Sequence, residues 1–203
     1  MQEQSDTYKS ILKPSKGIYK EKNSKFLSFA FPVETEDQVK KHIKDLKKEF
    51  FDAKHHCYAF ILGAQQNTFR SSDDKEPSGT AGKPILGQLH AYGLTNVLLV
   101  VVRYFGGTLL GTAGLANAYR SAAMNALHNA TIVERTVNTD LELSFDYNAW
   151  NDIMQIIKKE KLQILKQQFD MKCFILISVR KSRIEQLEQK FKQIETLNLT
   201  VKT

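Results

Sequence analysis

The chain has 203 residues, 42% of them hydrophobic, enough to bury the core of one large domain or two small ones. Its 29 lysines and arginines exceed its 22 aspartates and glutamates by seven, and most of the excess lies in residues 1–136, which hold 18 basic and 13 acidic side chains against 11 and 9 in the remainder. That balance suits anionic partners, nucleic acid foremost, while a polar start (MQEQSDTYKSIL) and a longest aliphatic run of only VLLVVV argue against a secretory signal, a membrane span or a membrane partner and for a cytoplasmic chain.

Taken in order, GIYKEKNSKFLSFAFPV reads as two strands around a turn at Lys22 to Ser24. TEDQVKKHIKDLKKEF has a helical period, with Val39, Ile43, Leu46 and Phe50 on one stripe and Thr35 with Gln38 forming a capping box. The lysines of this helix, Lys40, Lys41, Lys44, Lys47 and Lys48, are expected to be a solvated face rather than a nucleic-acid surface. KHHCYAFIL is a third strand. After a long polar loop, PILGQLHAY is a helix with Pro84 in its first turn and Gly93 just past its end. NVLLVVVRYF is apolar on both faces and so a central strand. It runs through GGTLLGTAG into the alanine-rich helix LANAYRSAAMNALHN, whose small side chains permit close approach to a neighbour.

The composition changes from residue 131. TVNTDLELSF, YNAWNDIMQIIKKE, KLQILKQQF, KCFILISV, KSRIEQLEQKFKQIE and LNLTVKT spell β-α-β-β-α-β, the ferredoxin-like order. Two domains are therefore expected, residues 1–133 and 134–203, with a short boundary near Ile132 to Thr136 and Trp150 in the second core. Cys57 and Cys173 lie far apart with no Cys-x-x-Cys spacing, so buried thiols are expected rather than a disulfide or a zinc site.

The loop SSDDKEPSGTAGKPILGQL, residues 71–89, poses the functional question. It is no Walker A loop, because Gly79 and Gly82 enclose two residues and Lys83 is followed by Pro84. The second glycine segment has the right gap between Gly106 and Gly111, with Thr112 following, but lacks the phosphate-holding lysine. Either it shapes a tight turn, or its glycines and the following helix start present N–H groups to an anion, with Arg103 and Arg120 adding charge. Asp73, Asp74 and Glu76 are carboxylates of the kind Mg²⁺ binds, yet consecutive acids in a loop usually face water. His55 and His56 are adjacent in a strand and point to opposite faces, so they cannot share a metal; His55 and Cys57 share a face. No nucleophile stands at an identifiable spacing from a base. No catalytic residue, metal or cofactor is assigned.

Four segments, KNSKFLSFA, DAKHHCYAF, SDDKEPSGTAGKPIL and VVVRYFGGTLLGTAGLANAYRSA, occur in that order, and together they resemble the IMPACT family in its bacterial YigZ branch, over residues near 16 to 130. The resemblance implies an α+β chain of two domains: the first with the fold of a small-subunit ribosomal protein domain, of domain IV of elongation factor G and of the GHMP kinases, the second ferredoxin-like and similar to domain V of elongation factor G. Carried over by position, the family's characteristic polar residues fall on His55, Asp73, Asp74, Glu76, Ser78, Thr80, Lys83, Arg103, Tyr104, Gly107, Gly111, Tyr119 and Arg120. The chain departs from the usual pattern at Ala113 and Asn117. Eukaryotic members regulate translation by means of an additional domain, so their partners do not transfer. The expected function is a noncatalytic translation-related regulator that binds RNA, the ribosome or a translation-associated protein. The alternative is an enzyme or sensor for a small phosphorylated ligand held between the 71–83 loop and the 103–111 glycine turn. A third reading is a protein-binding module whose ferredoxin-like sheet is the docking face.

Overall fold

The computed structural model describes residues 6–202. They fall into two compact units: residues 8–135, and residues 136–202 together with Asp6 and Thr7. The first unit contains β1 (Thr7–Ile11), β2 (Ser15–Glu21), β3 (Ser24–Pro32), α1 (Glu36–Glu49), β4 (His55–Leu62), β5 (Thr68–Ser72), α2 (Gly82–Ala91), β6 (Val97–Tyr104), α3 (Gly111–His128) and β7 (Ile132–Thr136). Five strands form one sheet in the order β2-β3-β6-β4-β5, antiparallel at every junction, and β1 pairs separately with β7.

The β2–β3 hairpin closes on Lys22 and Asn23, both at positive φ (43° and 62°), the mirror-image turn that matches the twist of paired strands. Thr35 caps α1, accepting from the backbone N–H of Gln38, while the Gln38 side chain accepts from the N–H of Glu34. As its two apolar faces suggest, β6 is central. Val97, Leu99 and Val101 join the core under α2 and α3, whereas Leu98, Val100 and Val102 join the core under α1. The period of two carries on past the apolar run. Arg103 is therefore delivered to the α2/α3 side and Tyr104 to the α1 side.

Alanines 118, 122, 123 and 126 let α3 lie close to the sheet. At Gly17 the approach is tightest, because a Cβ there would stand 2.5 Å from the Ala126 backbone nitrogen. Three segments differ from the sequence expectation. Residues 7–11, part of the long loop at 68–72, and the stretch expected to be a plain boundary at 132–136 are all short strands. Each has five residues, and β5 and β7 are largely polar and exposed, so the alternation that marks a half-buried strand is weak in them.

The second unit contains β8 (Asn138–Phe145), α4 (Trp150–Lys159), β9 (Gln163–Phe169), β10 (Cys173–Arg180), α5 (Ile184–Phe191) and β11 (Asn198–Lys202). Its sheet runs β11-β8-β10-β9, all antiparallel, the strand order of a split βαβ motif. Leu141, Leu143 and Phe145 of β8 and Cys173, Ile175, Ile177 and Val179 of β10 pack against Ile153, Ile157, Leu187 and Phe191. On the opposite face Phe174 lies between Ser144 and Gln168, and Leu176 between Glu142 and Lys166. Polar neighbours on both sides give that face little to offer an apolar partner. Both units mix helices with sheet. Both cysteines are buried and free.

Two glycine substitutions should move stability in opposite directions. Gly17→Ala forces β2 and α3 apart and should cost about 1–3 kcal/mol by the overpacking rule. Gly87→Ala, exposed within α2 with nothing near its added Cβ, should gain up to about 1 kcal/mol from helix propensity. Urea denaturation of both variants measures the contrast.

Candidate functional site

Across the end of the five-stranded sheet, the register sets Phe26 of β3, Arg103 of β6 and His55 of β4 side by side on the α2/α3 face. Arg103 is only 6% exposed. A guanidinium so enclosed needs a counter-charge. Glu76 provides it from the loop between β5 and α2: Arg103 Nη1 donates to Glu76 Oε1 at 2.7 Å, and the Tyr119 hydroxyl of α3 donates to the same oxygen at 2.8 Å. The rings of Phe26 and Phe105 lie 5.5 and 5.6 Å from the guanidinium carbon. His55 Nδ1 donates to the Asp74 carbonyl at 2.9 Å, which aims Nε2 towards Glu76 Oε1, 3.9 Å away.

The loop that brings Glu76 here is held by its own acids. Asp73 accepts the backbone N–H groups of Gly79, Ala81 and Gly82 at 2.7–2.9 Å and so caps the start of α2 with a carboxylate. Asp74 accepts the His56 N–H at 2.7 Å. Gly79 sits at φ 76°, where a β-carbon would be strained. The three acids are thus engaged separately, and among the described residues no group of three His, Cys, Asp or Glu side chains is placed to hold a metal ion.

Beside this cluster opens a cleft of about 430 Å³ lined by Lys54, His55, Lys75, Glu76, Pro77 and Arg103 and, across it, by Phe105, Leu109, Leu110, Gly111, Thr112 and Leu115. The pattern of the Impact N-terminal domain matches residues 22–127. Over 160 residues the chain is 35% identical to the IMPACT family member YigZ of Escherichia coli (strain K12), covering 78% of each protein. The chain belongs to the IMPACT family. The family member YvyE of Bacillus subtilis (strain 168) is 35% identical over 71% of this chain and 66% of its own length. Protein IMPACT of Rattus norvegicus is 33% identical over 45% of this chain and 30% of its own length. The crystal structure of a hypothetical protein, 28% identical, superposes with a TM-score of 0.76 over 97% of both chains.

The thirteen family positions do not form one site. His55, Glu76, Arg103 and Gly111 line the cleft, and Tyr119 lies beneath it through Glu76. Asp73, Asp74 and Thr80, whose hydroxyl donates to the Pro77 carbonyl at 2.7 Å, shape the loop. Tyr104 is on the other face of the sheet, donating to Asp52 at 2.7 Å. Ser78, Lys83 and Arg120 are exposed and outside the cleft, and the Arg120 guanidinium donates to Asn117. A single positive site built from Lys83, Arg103 and Arg120 is therefore not what the fold makes, since Arg103 is already paired inside the protein.

The glycines have structural work of their own. A Cβ at Gly106 would come 2.1 Å from the Asn23 carbonyl carbon, and Gly107 and Gly111 hold positive φ of 86° and 72°. The cleft-lining residues outside the family positions are Lys54, Lys75, Pro77, Phe105, Leu109, Leu110, Thr112 and Leu115, five of which lie in the 71–83 loop and 103–111 turn that the alternative reading set around a ligand. The signal for them was faint but present, namely two leucines inside a glycine-rich turn.

Neither the buried Cys57 thiol nor the buried Tyr119 hydroxyl is favoured in its ionised form near neutral pH. Burial pushes the Cys57 thiol far above its ordinary value, and burial with the nearby Cys57 and Glu76 does the same to the Tyr119 hydroxyl. Partial burial alone would raise the Asp73 carboxyl, but the N–H donors of Gly79, Gly82 and Ala81 outweigh it and hold Asp73 below its ordinary value of 3.8. With the folded-state value depressed, the stability Asp73 contributes is fully present above 3.8 and is lost as pH falls towards the folded-state value. Wild type should therefore lose stability on acidification through this range faster than Asp73→Asn, which starts lower. Melting temperatures of the two as a function of pH should converge.

Proposed function

We propose that this chain is a noncatalytic, translation-related regulator that engages RNA or the ribosome through the lysine face of α1. The observation that carries this reading, against the expectation of a merely solvated lysine face, is an open depression of about 650 Å³ lined by Lys40, Lys44, Lys47 and Lys48, with Ile43, Tyr58, Ser72 and Asp74. Lys40 and Lys47 have partial counter-charges in Asp37, at 3.1 Å, and Asp74, at 3.5 Å. All four ammonium groups ride on exposed residues, where a phosphate backbone can reach them and release its counterions. Tyr58, half-buried and parallel to Phe60 with centroids 6.5 Å apart, offers a flat ring in the same depression for a base to stack on.

Membership of the IMPACT family, whose eukaryotic branch regulates translation, supports the translation-related part. So does the β11-β8-β10-β9 order of the second unit, which fits the ferredoxin-like fold of domain V of elongation factor G. The noncatalytic part rests on the chemistry of the cluster around Glu76, where Arg103 and Glu76 pair with one another and the Cys57 thiol and Tyr119 hydroxyl are held protonated by burial.

The test is binding of purified ribosomes and of single-stranded and duplex RNA across a salt series. Lys44→Glu with Lys48→Glu should weaken binding at least about tenfold and flatten the salt slope by roughly 2 units. Lys83→Ala with Arg120→Ala should change affinity by less than about twofold. Melting temperatures should hold steady in both pairs, because all four side chains are exposed. Absence of binding by wild type at low salt, or dependence on Lys83 and Arg120 instead, would sink the reading.

A further inference from the structure

The cleft beside the glycine turn differs in chemistry from the α1 face. Its wall is apolar, made by Phe105, Leu109, Leu110 and Leu115 with Pro77 across from them. Leu109 is 82% exposed and Phe105 is 53% exposed. Phe105 has one structural contact there, its ring over the Arg103 guanidinium, but folding gives no reason for Leu109, which is not buried in a turn whose geometry is set by its glycines. Clustered on one concave surface, they mark a place where something apolar is received.

The floor is charged and sealed. Arg103, more than nine-tenths buried, lines it, and its Nε has no hydrogen-bond partner among the described residues. Glu76 balances the guanidinium. What remains without an ion pair among the described residues is positive: Lys54 and Lys75, both exposed and lining the cleft, and the start of α3, an 18-residue helix with no acidic residue in its first turn and no side-chain cap. Its first N–H groups, at Gly111 and Thr112 on the cleft wall, are free of a capping side chain.

An apolar wall beneath a positive mouth selects an amphipathic anion. Free phosphate is the poorer match, because it has no apolar body and would leave the leucines wet. We propose that this cleft binds a small amphipathic carboxylate, with its alkyl or aryl body against Phe105, Leu109, Leu110 and Leu115 and its carboxylate towards Lys54, Lys75 and the start of α3. The ligand class thus departs from the phosphorylated compound that the glycine segments suggest. This site stands apart from the α1 lysines and holds whether or not they bind nucleic acid.

Octanoate is a suitable probe, with octanamide and inorganic phosphate as comparisons, titrated into the full chain by calorimetry and by amide chemical shifts. Octanoate should saturate and shift the amides of residues 105–115. Octanamide should bind at least about tenfold more weakly, for want of the charge. Phosphate should not saturate. Leu109→Ser, harmless to the fold because Leu109 is exposed, and Lys75→Glu should each weaken octanoate at least about fivefold. Four outcomes would each overturn the proposal: no saturation by octanoate, equal binding of octanamide, comparable binding of phosphate, or indifference to Leu109→Ser.

Discussion

One carboxylate oxygen organises the chemistry of the first unit. Glu76 Oε1 receives hydrogens from Arg103 and from Tyr119, and so joins the β5–α2 loop, the end of the central strand and the middle of α3 at a single point. Both charges are almost sealed from water. Removing two ions from solvent is costly, and the pair persists because each satisfies the other in a setting that adds a hydroxyl donor and two flanking rings. The neighbouring loop obeys the same rule: Asp73 is stabilised by backbone N–H groups and Asp74 by the His56 N–H, so the acids of the string SDDKE are engaged within the protein while Lys75 stays exposed.

That inward turn redistributes the functional surface. Arg103 cannot both neutralise Glu76 and neutralise a phosphate. The exposed cations proposed to meet a polyanion lie on α1, where lysines three and four residues apart flank one depression and two of them, Lys40 and Lys47, have an acid within 3.5 Å. The cleft over the Glu76 pair is left with an apolar wall and a positive rim. The two surfaces proposed for recognition differ in chemistry and lie on opposite sides of a sheet whose central strand is buried on both faces.

Much of the fold could be read from the chain because periodicity is a local property. The stripe Val39, Ile43, Leu46, Phe50 predicts α1, the unbroken apolar run at 97–102 predicts a central β6, and the six segments from residue 136 predict the second unit. What escaped was short and polar. TFRSS and IVERT contain too few inward residues for a period of two to stand out. The site was harder, because it depends on pairing between distant segments. An arginine ending an apolar strand reads equally well as a rim cation or as a buried partner, and only the placement of Glu76, 27 residues earlier in a loop, decides between them. One distinction was available in advance. Adjacent strand residues face opposite ways, which separates Arg103 from Tyr104 as surely as it separates His55 from His56.

A double-mutant cycle across the Glu76–Arg103 pair is the most direct measurement of whether the arginine's charge is committed internally. Glu76→Gln, Arg103→Met and the double variant would be compared with wild type by urea denaturation at neutral pH. A buried, mutually satisfying pair predicts a coupling of about 2 kcal/mol or more, each single change being costly because it strands the other partner. Strictly additive losses, or a negligible loss from Glu76→Gln alone, would contradict it and would return Arg103 to the list of cations available for a ligand.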